Sequence, residues 1–354
     1  MDLLFLNKNF EVCKLVDSFK SFSWTRKYFE PGNFTIEITI DDYLDIKANE
    51  CKYIYCKDYT ETGVIETTNY NSRIGSTTVT LTGRFLEKVL EDRVIKLTKT
   101  YSGTTETIAR KMVNDYCINC DNPLFNGRLQ LGTYKGLGES KVYQNTGDDI
   151  KTALYDLLKV DRLSYSIDYD YVEETLTFNV WQGLDRTENQ DINSWATFSK
   201  NFENIQEDEC SVDETRFKNF AYVAGQDQGE NRVVVEVNQI KEGEDRKELY
   251  VDARDLQQDD DMTLNEYKAI LRERGLEKLQ ENNKVEIVSF RVDPNSNLIY
   301  KTDYDLGDIV MYKNEELGIY IENRIVEISD VFDGVDEKIE IAFGDDYNIK
   351  KVIN

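Results

Sequence analysis

One stretch decides the fold class, and it reads Ser23-Trp-Thr-Arg-Lys-Tyr-Phe-Glu-Pro-Gly-Asn-Phe-Thr-Ile-Glu-Ile-Thr-Ile40. From Phe34 to Ile40 every second residue is apolar, and threonine or glutamate fills each position between. Because successive side chains of a strand point to opposite faces, this period of two predicts a strand with one buried face. Pro31-Gly32 directly before it predicts a turn, since proline restricts φ and glycine tolerates positive φ. The stretch therefore predicts a β-rich fold.

The rest of the chain divides by periodicity into three parts. Residues 1–98 continue the strand pattern, and residues 99–195 mix helical and strand periods. Residues 196–354 return to strands, with an inserted helical segment at about 243–300. The predicted fold class is therefore α+β and mainly β, in which two β modules flank a mixed α/β domain.

The middle part shows two helical periods and one hairpin. Apolar residues recur at spacings of three and four over about 104–117 and again over 150–158, which predicts two amphipathic helices. The glycine-rich polar segment 126–147 between them is predicted to be a long loop or hairpin. Alternating residues at 163–169 and 176–181 predict a β-hairpin.

The inserted segment begins with a helix-start signal. Thr263-Leu-Asn-Glu266 has the spacing of a capping box, in which each side chain bonds a free backbone N–H of the other residue. Gly275 interrupts the helical pattern at a cost of about 1 kcal/mol relative to alanine, so we expect the helix to end or bend there. The predicted apolar stripe consists of Leu264, Tyr267, Ile270, Leu271 and Leu279.

The composition excludes large classes of chemistry. The 354 residues include no histidine, so no Ser-His-Asp or Cys-His triad and no imidazole metal ligand can form. With 68 acidic side chains, some carboxylate pair will have a hydrolase-like separation by chance, but no local context marks one. We therefore predict no catalytic residues, no cofactor and no metal.

Acidic and basic side chains are spread unevenly. The formal net charge is -25. Nearly all of it comes from the residues after position 100, since residues 1–100 carry only -1. An acidic chain of this kind is not expected to bind nucleic acid stably or to adhere to anionic membranes. The first residues lack a basic region and no 18-residue apolar run occurs, so neither a signal peptide nor membrane insertion is expected. We expect the near-neutral end to contact another protein.

The six cysteines do not show a strong metal pattern. Cys117 and Cys120 form a single C-x-x-C, and Cys51 with Cys56 could in principle complete a four-thiolate site, although their spacing is outside the usual range. Unpaired buried thiols in a reducing compartment are the simpler expectation.

Several separated motifs together resemble phage tail hub proteins, the central baseplate or tail-tip proteins of phages and phage-tail-like bacteriocins. They occur in the expected order over nearly the whole chain. They are Ser23–Glu37, Leu81–Leu86, Gly183–Gln190, Phe198–Asn204, Lys218–Gly225 and Tyr304–Val310.

The resemblance implies a structural role in a particle. Each subunit would contribute two tail-tube-like β-barrel modules, residues 1–98 and 196–354, so that a homotrimer makes a pseudo-sixfold ring around a channel. Residues 99–195 would form a peripheral domain. The ring would join the tail tube protein to the central spike protein and contact other baseplate proteins and a tape-measure protein. Assembly would take place in the bacterial cytoplasm, and a channel wall rich in carboxylates would keep DNA from adhering.

The resemblance also suggests contact residues and leaves rival functions open. The candidate interface residues are Trp24, Arg26, Tyr28, Arg84, Asp185 and Arg186, although each of them could equally be local core or turn structure. A peptidoglycan-degrading tail lysin that uses a carboxylate pair and a receptor-binding tip protein are the alternatives to a non-enzymatic hub.

Overall fold

The computed structural model describes residues 2–73, 76–238, 243–259, 262–283, 285–293, 295–334, 336–343 and 348–349. Regular structure in this part of the chain is mostly β, with 22 strands and four α-helices. The prediction of a mainly β chain with few helices is therefore confirmed. The end of the predicted third part, residues 350–354, lies outside the described residues. None of the described helices is long and apolar enough to cross a membrane.

The first part is built from seven strands and one α-helix. Their bounds are β1 Leu3–Leu6, β2 Val12–Val16, β3 Ser21–Lys27, β4 Asn33–Ile38, α1 Ile40–Ala48, β5 Tyr53–Cys56, β6 Thr62–Arg73 and β7 Ser76–Phe85. A 3₁₀ helix, Leu86–Asp92, follows β7. Ile40, predicted to continue the strand, instead begins α1, because the Thr39 side chain caps the helix by accepting from the Asp42 N–H.

The middle part contains the two predicted helices and the predicted hairpin. The elements are β8 Lys99–Thr104, α2 Thr105–Val113, β9 Leu129–Leu131, β10 Ser140–Asn145, α3 Ile150–Val160, β11 Ser164–Asp170 and β12 Thr175–Trp181. Strands β11 and β12 pair antiparallel, as expected. The glycine-rich segment 126–147 is not a hairpin of its own, because β10 pairs with β8 and β9 pairs with β12.

The last part contains the remaining strands and the longest helix. The elements are β13 Thr197–Ser199, β14 Ile205–Asp213, β15 Phe220–Ala224, β16 Val234–Asn238, β17 Glu248–Asp252, α4 Leu264–Glu281, β18 Val285–Val292, β19 Ile309–Asn314, β20 Ile319–Phe332, β21 Glu337–Phe343 and β22 Asn348–Ile349. The capping box at Thr263 is present as predicted.

Helix α4 does not end at Gly275, contrary to the expectation. A Cβ atom at Gly275 would lie 2.6 Å from a methyl of Val237 and 2.7 Å from a methyl of Val223. The glycine therefore lets the helix approach strands β15 and β16 closely, which offsets its poor helix propensity. Leu264, predicted in the apolar stripe, is 46% exposed, because it lies in the first turn.

One long sheet joins the first and last parts of the chain. Its strand order is β14-β18-β21-β20-β3-β4-β7-β6-β5-β1-β2. The connection is the antiparallel pairing of β20 with β3, from Glu327 opposite Lys27 to Phe332 opposite Phe22. This order has two ends, β14 and β2, so the described strands of one chain do not close a barrel.

Four apolar cores lie beneath these sheets. Two of them belong to the flanking parts, one around Trp24 and one around Ile325. A third fills the space between the first part and helices α2 and α3, and the fourth joins α4 to the separate β16-β15-β17 sheet. The flanking parts therefore share one sheet, and each keeps a core of its own.

Candidate functional site

The two flanking parts meet at Arg26, a predicted interface residue on β3. Its Nε donates to Glu61 Oε1 at 2.7 Å, and its Nη1 donates to Asp305 Oδ1 at 2.6 Å. Nη1 also donates to the Tyr300 hydroxyl at 3.0 Å. Arg26 is only 8% exposed, so these charged hydrogen bonds are largely shielded from water. We call Arg26 with Glu61 and Asp305 the ionic clamp.

The partners of Arg26 stabilise the charged form of its guanidinium. Burial by itself would lower the pKa of the guanidinium, but the charges of Glu61 and Asp305 outweigh burial and raise the pKa well above its usual value. Sequence reasoning missed these partners, since Glu61 and Asp305 are 35 and 279 residues away from Arg26 and neither lies in a pattern that signals pairing.

A second junction brings together two motifs that are distant in sequence. A Cβ atom at Gly183 would overlap the Gly307 carbonyl, so the two backbones touch. Arg186 Nε donates to Asp308 Oδ2 at 2.7 Å, and the Leu184 N–H donates to Asp308 Oδ1 at 2.7 Å. These contacts fix the segment that follows β12, at Leu184 and Arg186, to the start of β19.

Two of the other candidates are buried within their own chain. Trp24 is fully buried and packs against the rings of Phe34 and Phe85. Tyr28 is 1% exposed, and its hydroxyl donates to the Arg162 carbonyl at 2.9 Å. Trp24 therefore belongs to the core of the first part, and Tyr28 joins the first part to the middle part.

The last two candidates keep some exposed surface. The Arg84 guanidinium is bonded on both sides, to Glu66 and Glu91, with Nη2 2.8 Å from an oxygen of each. Asp185 is exposed, and its Oδ1 accepts from the Thr187 N–H at 2.9 Å. Direct contact with a second copy stays a prediction for all six candidates.

One face of the long sheet is polar across eight strands, from β14 to β6. Thr25 and Ser329 hydroxyls lie 2.9 Å apart across the β3–β20 pairing, and Lys27 lies 3.7 Å from Glu327. The face is rich in hydroxyls, and the described ones include Ser21, Ser23, Thr25, Thr35, Thr67, Thr80, Thr82, Ser289 and Ser329. Carboxylates lie on the same face, among them Glu37, Glu327 and Glu340.

The carboxyls with the most strongly raised pKa values do not form a catalytic pair. Burial raises the pKa of Glu87 to about 8 in the core beside β11, and burial raises that of Glu277 to about 8 on α4. Glu87 and Glu277 do not contribute to each other's pKa shift. Their raised pKa values are thus consequences of packing, and they offer no support for a lysin.

The cysteines correct one expectation. Cys13 and Cys51, expected as free thiols, form a disulfide between β2 and the residues after α1, with Cα atoms 6.3 Å apart. Cys56, Cys117 and the other two cysteines are free. With Cys51 bonded, the four-thiolate alternative is not built, and no group of three or more potential metal ligands occurs among the described residues.

Comparisons with known proteins give the same fold. Prophage tail protein gp18 from Listeria monocytogenes EGD-e is 13% identical, with a TM-score of 0.58 over 98% of this chain and 95% of that one. A tail protein from Neisseria meningitidis MC58 is 14% identical, with a TM-score of 0.56 over 94% of each chain. The 43 kDa tail protein of prophage MuSo2 from Shewanella oneidensis is 13% identical, with a TM-score of 0.55 over 93% of this chain and 94% of that one.

A match to a family model shows to which family the chain belongs. No curated protein matches the chain. Residues 2–345 match the model of the Siphovirus ReqiPepy6 Gp37-like protein. Because that match spans nearly all of the sequence, the resemblance of the motifs is confirmed, and the chain belongs to the Siphovirus ReqiPepy6 Gp37-like family of phage tail proteins.

Proposed function

We propose that this phage tail protein is a non-enzymatic hub, in which three copies form a pseudo-sixfold ring between the tail tube and the central spike. The observation that carries the proposal is the single sheet that runs from β4 through β3 into β20 and β21. Each copy therefore presents two β modules side by side, and three copies would present six.

The ends of the sheet are suited to head-to-tail contacts between copies. Strands β14 and β2 end the strand order, and an unpaired strand edge offers backbone groups for pairing. Val12 and Leu15 on β2 are 46% and 50% exposed. Contacts between two different surfaces close a ring when the rotation between copies allows it, and in this way the modules would complete a tube-like wall.

The polar face of the sheet is the proposed channel wall. It carries hydroxyls together with carboxylates, among them Glu37, Glu327 and Glu340, and the carboxylate-rich wall expected from the sequence stays a prediction. A wall of this kind would let DNA or a tape-measure protein pass, because its carboxylates repel phosphates and described basic side chains such as Lys27 and Arg84 lie beside carboxylates. Residues 99–195 would then form the peripheral domain outside the ring, and the hub would assemble in the cytoplasm before joining other baseplate proteins.

The copy number tests this function. We expect three copies per particle by quantitative mass spectrometry of assembled tails, and a trimer by analytical ultracentrifugation of the full chain. Replacing Val12 and Leu15 together by lysine should shift the trimer to monomer. The control Val172→Lys changes a residue that is 83% exposed on the β11–β12 turn of the middle part and should leave the trimer intact. A copy number that is not a multiple of three would refute the hub.

A further inference from the structure

A groove of about 1020 Å³ lies beside the β3–β20 pairing. One wall is formed by the sheet, including Phe22, Phe332 and Ile339, and the other by the segment that contains Ile299 and Tyr300. This volume is at the upper end of the range for ligand pockets, which is about 300–1,000 Å³. The groove reaches one end of the strand order at Gln206 on β14, and most of its lining lies away from both ends.

Three buried polar atoms at the groove have no hydrogen-bond partner, and one of them is Arg291 Nε. Tyr304 lines the groove, is only 1% exposed, and its hydroxyl is unpartnered. Asp330 Oδ2 is also buried without a hydrogen-bond partner, and burial raises the pKa of the Asp330 carboxyl. Buried polar atoms without partners are rare and costly in folded proteins. Their occurrence together at one groove indicates that a polar group of a ligand belongs there.

The charges of the groove favour a cationic group. Its lining includes five carboxylates and three cations. Among these cations, Lys301 Nζ already donates to the Asp58 carbonyl at 2.6 Å, and Lys338 Nζ donates to Asp333 Oδ2 at 2.6 Å. Arg291 lies 3.5 Å from Glu340. A ligand that brings its own cation to Asp330 would therefore complement the lining.

The aromatic side chains of the groove argue against ligands that stack on aromatic rings, such as sugars and bases. The Tyr59 ring has Trp24 at 5.3 Å and the Lys301 ammonium at 4.2 Å, and Tyr300 stacks on Tyr304 at 5.6 Å. Their faces are therefore already occupied. Ile299 on the rim is 61% exposed, so an occupant that crosses the rim would cover it, as an extended polypeptide does.

We propose that this groove binds a partner polypeptide segment in which an apolar side chain is followed by lysine or arginine. The apolar side chain packs against Phe22, Phe332 and Ile339, and the cation bonds the free oxygen of Asp330. The inference goes beyond the hub function and does not depend on the number of copies in the ring.

Fluorescence polarisation with the full chain and two labelled peptides tests the proposal. The probes are Gly-Leu-Phe-Lys-Gly and Gly-Leu-Phe-Glu-Gly, both acetylated and amidated. We expect the lysine peptide to bind about tenfold more tightly than the glutamate peptide, the ratio typical of one hydrogen bond between charged groups. Equal affinities, or no binding of the lysine peptide up to millimolar concentration, would overturn the proposal.

Three variants locate the binding. Asp330→Asn keeps the shape of the side chain and should reduce the preference for the lysine peptide to about twofold or less. Ile299→Ser changes an exposed residue, leaves folding intact, and should weaken both peptides several-fold. Glu316→Gln removes an exposed carboxylate away from the groove and should change neither affinity. If Asp330→Asn still prefers the lysine peptide over the glutamate peptide by the wild-type ratio, the proposal is contradicted. If Ile299→Ser binds both peptides as tightly as wild type, binding takes place elsewhere and the proposal is contradicted as well.

Discussion

Replacing Glu87 by glutamine should remove a pH-dependent loss of stability. Glu87 is 5% exposed, and its Oε1 accepts from the Ile167 N–H at 2.9 Å, while its Oε2 has no hydrogen-bond partner. Burial raises the pKa of its carboxyl to about 8; the Ile167 N–H partly offsets burial, and the charges of Asp168 and Glu61 add to the rise. Deprotonation of Glu87 therefore costs free energy in the folded state.

The sign and size of the effect follow from the two pKa values. The stabilising contribution of the neutral carboxyl is complete below the ordinary pKa of 4.5 and is lost as the pH rises through about 8. At about 1.4 kcal/mol per pKa unit, the free energy of unfolding should fall by about 2 kcal/mol between pH 6 and pH 8 because of Glu87 alone.

Urea unfolding of wild type and Glu87→Gln at pH 6 and pH 8 measures this loss. Glutamine keeps an oxygen that accepts from the Ile167 N–H and cannot ionise. Groups that titrate in both proteins, including Glu277, cancel in the difference. The stability of the variant relative to wild type should therefore rise by about 2 kcal/mol from pH 6 to pH 8. The exposed variant Glu316→Gln should follow wild type. If Glu87→Gln follows wild type as well, the carboxyl is already ionised in the fold and the reasoning is wrong.

Three further predictions concern packing, capping and the ionic clamp, and thermal or urea unfolding checks each one. Gly275→Ala should destabilise by about 1 kcal/mol, because overpacking against Val223 and Val237 exceeds the gain in helix propensity; a more stable variant would contradict this contact. Thr263→Ala should cost about 1 kcal/mol through loss of the α4 cap, and an unchanged midpoint would mean that α4 is held by packing alone. Arg26→Met should cost about 3 kcal/mol by leaving partly buried carboxylates unpaired, whereas a neutral effect would show that the clamp is dispensable.

The local elements could be predicted from the sequence because their causes are short-range. The alternation after Phe34 marks β4, and Thr263 with Glu266 marks the start of α4. The predictions failed where a contact from elsewhere outweighed local propensity. Gly275 continues its helix because two valines on the neighbouring strands leave no room for a side chain.

The family motifs were visible in the sequence, but their physical role was not. Gly183 and Asp308 belong to separate motifs, and only the fold shows that these motifs touch each other. Arg26, predicted as a contact residue, bonds Glu61 and Asp305 within its own chain, and its contact with a second copy stays a prediction. The partners of a charged side chain depend on which loops lie next to each other in the fold. The residues around that side chain in the sequence do not predict this.

By itself the sequence determined the β-rich class, the helix starts, the absence of histidine chemistry and the family resemblance, since each depends on residue identity or on spacing over a few positions. Only the tertiary structure decided that β20 pairs with β3, that Cys13 bonds Cys51, and that a groove with unpartnered polar atoms lies beside that pairing. These features join residues that are 38 to about 300 positions apart, and pairing over such distances is selected by the packing of the whole chain.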